Sequence, residues 1–117
     1  MVKFLNSFGI QATKGDTIIM PIVVFNNDNT IYHVQEGDVI NFGLKETYND
    51  TECLIEKTID NTELKLILEH DDTKELEVGS YVYDIQITKK ATGEVNTFIS
   101  GNLQITNEVY DKDVEII

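Results

Sequence analysis

Apolar residues in this chain recur mostly at every second position, in short runs broken at fairly even intervals by Gly, Asn and Asp. A period of two belongs to strands with one face in a core, whereas a helix repeats every 3.6 residues. Ile40, Phe42 and Leu44 alternate with Asn41, Gly43 and Lys45, which predicts a half-buried strand. Cys53, Ile55 and Ile59 predict the next inward-facing set, and Leu64, Leu66 and Leu68 another. The clearest run starts at Gly79, with Tyr81, Tyr83, Ile85 and Ile87 on one face and Asp84, Gln86 and Thr88 on the other. A long final strand follows, with Val95, Thr97, Ile99, Gly101, Leu103 and Ile105 on one face, opposite Phe98, Ser100, Asn102 and Gln104.

Residues 17–25 depart from this pattern, because both alternating sets are apolar: Ile18, Met20, Ile22 and Val24 against Ile19, Val23 and Phe25. Such a run predicts a strand covered on both faces. Pro21 interrupts it; proline cannot donate to a ladder, so the strand is expected to bend or change neighbours there. Turns are predicted where Asn, Asp and Gly cluster, at residues 26–32, 36–38, 48–51, 60–61 and 91–94. Residues 70–78 lose the alternation and predict a loop with a short helical turn. These elements predict an all-β fold of about seven strands in two antiparallel sheets packed face to face. Leu76, Gly79 and Tyr81 add a structural corner, since immunoglobulin-like sandwiches place a Tyr at the start of a strand with its hydroxyl bonded to upstream backbone. The acceptor is expected between Asp72 and Lys74.

Composition narrows the partners. The 117 residues make one domain of ordinary size, with 41% hydrophobic content. A net charge of −12 repels phosphate backbones and anionic lipid, so neither nucleic acid nor a membrane is expected as a partner. No run approaches the roughly 18 apolar residues of a membrane span, and the first residues lack the apolar core of a secretory signal. Cys53 is the single cysteine, so no internal disulfide supports the fold, and synthesis in the cytoplasm is expected. Cys53 with His33 or His70 is the only nucleophile pair on offer, and Cys53 in an apolar alternation reads as a small core residue. Glu69, His70, Asp71 and Asp72 match neither a zinc spacing nor a calcium loop. Catalysis, a metal and a cofactor are therefore not expected. Tyr32 and Tyr48, with Phe98, are the aromatics placed to stack on a ligand, the feature a carbohydrate- or cell-surface-binding module needs.

The ordered series from Asp72 to Thr106 carries a family resemblance. It comprises Asp72-Thr73-Lys74, Leu76, Gly79-Ser80-Tyr81-Val82-Tyr83-Asp84-Ile85-Gln86-Ile87, Gly93-Glu94-Val95, Ser100-Gly101-Asn102-Leu103 and Ile105-Thr106. Upstream, Lys14-Gly15-Asp16-Thr17, Gly37-Asp38-Val39-Ile40-Asn41-Phe42 and Ile55-Glu56-Lys57-Thr58-Ile59 extend it. The series resembles small immunoglobulin-like domains of tail and baseplate proteins in phages and prophages of Gram-positive bacteria, and is similar to the N-terminal domain of siphophage upper-baseplate proteins. The resemblance implies a structural or assembly subunit, located in the virion tail and assembled in the host cytoplasm. Its partners are then other tail or baseplate proteins, and a trimer or hexamer of the chain itself. Such domains are usually followed by further segments, whereas this sequence stops at Ile117, so docking rather than receptor binding is expected. Residues 1–106 are read as the sandwich and residues 107–117, with Asp111, Asp113 and Glu115, as an acidic extension.

Overall fold

The alternating runs form eight strands and one short helix in a computed structural model that describes residues 3–4, 8–111 and 113. In chain order these are β1 (Lys3–Phe4), β2 (Ile10–Thr13), β3 (Ile18–Pro21), β4 (Val39–Lys45), β5 (Ile55–Ile59) and β6 (Lys65–Leu68), then α1 (His70–Lys74), β7 (Gly79–Thr88) and β8 (Val95–Thr106). One sheet has six strands in the order β1-β2-β8-β7-β4-β5, and β3 pairs with β6 in a sheet of two. The fold is all-β and sandwich-like. Its core joins inward residues of both sheets, among them Ile18, Met20, Leu66 and Leu68 from the small one and Ile40, Phe42, Tyr83, Ile85 and Leu103 from the large one. Each such side chain contributes about 1.5–3 kcal/mol by leaving water.

The sheets are not wholly antiparallel. β2 runs parallel to β8, with Ile10 opposite Leu103 and Thr13 opposite Thr106. A parallel pair needs a long connection, and here nearly the whole chain separates the two strands. β1 and β2, at two and four residues, are too short to announce themselves by period, so the alternation alone did not predict them.

The run over residues 17–25 is covered on one face only. Ile18, Met20, Ile22 and Val24 are buried, while Ile19 (51% exposed), Val23 (48%) and Phe25 (60%) lie open. Double apolar alternation predicted a covered strand, but the two-stranded sheet has nothing packed on its outer side among the described residues. Pro21 takes the edge position. Ile22 donates its N–H to Leu64 O at 3.0 Å, so the even-numbered residues of β3 face β6 and the nitrogen of Pro21 faces away, where no ladder bond is lost. Beyond Ile22 the chain changes neighbour: Tyr32 N donates to Val24 O, and Phe25 bridges Ile31.

A second correction concerns β8. The register passes from Ile85 opposite Ile99 to Gln86 opposite Thr97, leaving Phe98 as an extra residue in a bulge. A one-residue insertion reverses which face the side chains take. Ile99, Leu103 and Ile105 are therefore inward and buried, while Val95 and Thr97 fall on the outer, exposed side. The single continuous face expected from Val95 to Ile105 is in fact divided at Phe98.

Two joints hold the ends of the large sheet. Tyr83 donates its hydroxyl to the carbonyl of Phe8, and burial pushes that phenol up to about 12. The same carbonyl lies over Gly101, where an added Cβ would come within 2.4 Å of the oxygen. Past β8, Lys74 of α1 pairs with Glu108 and Asp111, and His70 contacts Asp113 Oδ2 at 2.6 Å. The described part of the acidic extension thus lies against α1 and forms no strand. Thr73, fully buried, anchors the helix by donating to Asp16 O at 2.7 Å.

Candidate functional site

The corner at the start of β7 is formed by Tyr81, whose hydroxyl donates to Glu77 O at 2.6 Å. The acceptor is thus four residues upstream, not between Asp72 and Lys74 as expected. That stretch is occupied by α1, with Asp72 held in a capping box and paired to Lys57 at 2.9 Å. Leu76 is buried beside Tyr81, and Gly79 enters the strand at φ +156°. Tyr81→Phe is expected to lower stability by about 1 kcal/mol, the net worth of one neutral hydrogen bond. Urea unfolding measures it, and an unchanged midpoint would show that the corner bond contributes nothing.

Tyr32 is not a free stacking platform. Its hydroxyl donates to Asp38 Oδ2 at 2.6 Å, and Lys89 Nζ sits 4.4 Å above its ring. The hydrogen bond to Asp38, helped by burial, pushes the phenol up to about 12. Asp38 itself is buried at 4% exposure and collects further bonds from the N–H groups of Gln35 (2.8 Å) and Lys90 (3.0 Å). Burial alone would raise its carboxyl; the three donors, with Lys89 nearby, pull it below the usual carboxylate value. Tyr32 and Asp38 together tie the loop before β4 to the turn after β7, a structural task.

Tyr48, by contrast, is 66% exposed. Its turn is stiffened by Asp50, whose carboxylate accepts from Thr47 N and Thr47 Oγ1, each at 3.1 Å, while Lys45 Nζ donates to Asp50 O at 2.8 Å. Phe98 is half-buried against the core. With Phe8, Met20, Pro21, Ile22, Val23, Phe25 and Ile99 it lines an apolar groove of about 580 Å³. That groove lies alongside the exposed residues of β3, so one side of the molecule presents a largely apolar surface.

The outer face of the six-stranded sheet is different in kind. Over Gly43 it carries a polar hollow of about 560 Å³, lined among others by Asn41, Cys53, Glu56, Thr58, Asp84 and Gln86. Cys53 is therefore neither in a strand nor in the core, contrary to its reading as an inward residue. It is half-buried just before β5, and a Cβ at Gly43 would meet its Sγ at 3.0 Å. No histidine lines this hollow. His33 is exposed in the loop before β4, and the ring of His70 contacts Gly15 O and Asp113. Neither histidine is therefore brought to Cys53 in the hollow. Glu69 and Asp72 form the capping box of α1 and Asp71 lies in its first turn, and among the described residues no group of three or more His, Cys, Asp or Glu is placed to hold a metal ion.

Sequence reading missed the roles of two residues, Gly43 under the hollow and Asp38 as the shared acceptor for Tyr32, Gln35 and Lys90. Each stands in a recognisable strand or turn, and nothing in its neighbours signals the residue it meets across the sheet. No protein-family model matches the chain, and no curated protein matches it.

Proposed function

We propose that this chain is a structural subunit of a phage or prophage tail or baseplate, an immunoglobulin-like sandwich that docks onto neighbouring virion proteins. The observation that carries the reading is the exposed apolar surface of the small sheet, where Ile19, Val23, Phe25 and Ile31 are each about half exposed and Ile19 lies directly opposite Ile67. Contiguous apolar surface on a small acidic protein is a mark of association with another protein. Strand order supports the immunoglobulin-like part. β3 and β6 take the places of strands B and E, and β5, β4, β7 and β8 those of C′, C, F and G in the opposite sheet. Tyr81 then falls at the start of F, where such domains keep their tyrosine corner. The ordered sequence series from Asp72 to Thr106 supplies the link to tail and baseplate domains, and the acidic surface disfavours nucleic acid and membrane as partners.

Mass spectrometry of purified tail particles tests the reading, with the chain expected among their components. Phe25→Asp, which places a charge in the apolar surface without touching the core, is expected to deplete it from particles while leaving its thermal unfolding unchanged. Absence of the wild-type chain from particles, or full incorporation of Phe25→Asp, would count against docking through this surface.

A further inference from the structure

The polar hollow over Gly43 continues towards Tyr48. A second hollow of about 290 Å³ shares Gly43, Cys53 and Asp84 with the first and is closed by Lys45, Tyr48, Val82 and Tyr83. Together they make one trough across β5, β4 and β7 on the side away from the core. From Asn41 to Lys45 it follows about 14 Å of strand. Its floor is open because position 43 has no side chain.

The groups along it have hydrogen-bonding capacity to spare. Asp84 and Gln86 are half-buried, and among the described residues neither side chain has a hydrogen-bond or ion-pair partner in the protein. Asn41 meets Thr58, whose Oγ1 donates to Asn41 Oδ1 at 3.2 Å, leaving the amide nitrogen of Asn41 available. Glu56 and Asp84 flank Gly43 on the two neighbouring strands. Two strand spacings put their backbones about 10 Å apart, too far to grip one small cation together. Lys57 is paired with Asp72, and in the rest of the lining the two carboxylates Glu56 and Asp84 outnumber Lys45, which donates to Asp50 O, so the trough disfavours an anion. What remains is a row of planar amides, carboxylates and a hydroxyl, both donors and acceptors, on a rigid sheet. At its end stands one exposed aromatic ring on a stiffened turn.

We propose that this trough binds an uncharged oligosaccharide, with Asn41, Asp84 and Gln86 hydrogen-bonding its hydroxyl groups and Tyr48 stacking on a sugar ring. Vicinal hydroxyls match planar side-chain amides and carboxylates, and the weakly polar face of a sugar ring matches an aromatic one. The site stands on the face opposite the apolar surface of β3, so it does not depend on the assembly reading, and both surfaces can be occupied at once.

The test uses the full chain on an array of neutral hexose and N-acetylhexosamine oligomers, with anionic glycans and a lysine-rich peptide as competing probes. Any neutral oligomer bound is then titrated into isotope-labelled protein. The expected result is binding of at least one neutral oligomer, with amide shifts concentrated at residues 41–45, 47–58 and 82–86. Tyr48→Ala and Gln86→Ala are each expected to weaken it about tenfold, as loss of a ring contact or a hydrogen bond implies. Tyr110→Ala, an exposed tyrosine outside the trough, is expected to leave it unchanged. Shift mapping on the wild-type chain keeps the test valid should a variant fold poorly. No neutral oligomer bound, binding by the charged probes alone, or shifts and affinities indifferent to the trough would each overturn the proposal.

Discussion

Gly101→Ala is expected to destabilise the domain by about 3 kcal/mol or more, in line with forcing an extra methyl into a filled position while breaking a buried hydrogen bond. The added Cβ would stand 2.4 Å from the carbonyl oxygen of Phe8, a backbone atom that cannot swing aside as a side-chain tip can. Moving Phe8 away also breaks the bond that the Tyr83 hydroxyl gives to the same oxygen. Gly93 provides the contrast. Nothing lies within 4 Å of a Cβ there, and only its φ of +71° resists substitution, so Gly93→Ala is expected to cost about 1 kcal/mol. Urea unfolding of the two variants side by side reads the difference. Equal midpoints would mean that the segment carrying Phe8 yields, and that the joint between it and β8 is soft.

Asp38→Ala is expected to cost a similar amount, about 3 kcal/mol, because it leaves the Tyr32 hydroxyl and the N–H groups of Gln35 and Lys90 without their common acceptor. Tyr32→Phe removes one of the three bonds and should cost less. The same carboxylate gives a pH signature. Its folded-state pKa lies below the ordinary 3.8, so the unfolded chain takes up its proton first as the solution is acidified. The stability it contributes is fully present above that ordinary value and is lost as pH falls towards the folded one. Asp72 is lowered too, where burial that raises it is outweighed by Lys57 and the Glu69 N–H, and adds loss in the same direction. Asp38→Asn is expected to flatten the fall in stability between about pH 5 and pH 2 relative to wild type. A parallel fall in the variant would show that other carboxylates govern the acid limb.

Much of the strand content was legible because alternation and burial coincide wherever one face of a long strand meets a core. Ile40, Phe42 and Leu44, or Tyr81 to Ile87, had only that solution. The same rule misled where alternation meets something nonlocal. β8 reads as one unbroken face until Phe98 is seen to bulge, and a bulge depends on how the partner strand is aligned. In β3 the sequence is apolar on both sides, but coverage of the second side depends on whether another layer exists. Candidate binding residues fared unevenly for the same reason. Tyr32 and Tyr48 look alike in sequence, and only their neighbours in space separate them: Asp38 and Lys89 cover the first, while a turn held by Asp50 projects the second into solvent.

By itself, then, the amino-acid order determined the strand-forming segments, the turns between them, an acidic surface and a single unbridged cysteine, since each follows from local periodicity, turn chemistry or composition. Tertiary structure decided the parallel pairing of β2 with β8, the reversal of face at Phe98, the open apolar side of β3 and the trough over Gly43. Those four features arise from how segments distant in the chain are set against one another, as Phe8 is with Gly101 or Gly43 with Asp84, and a periodic pattern carries no record of which distant residue will fill, or leave empty, the space beside it.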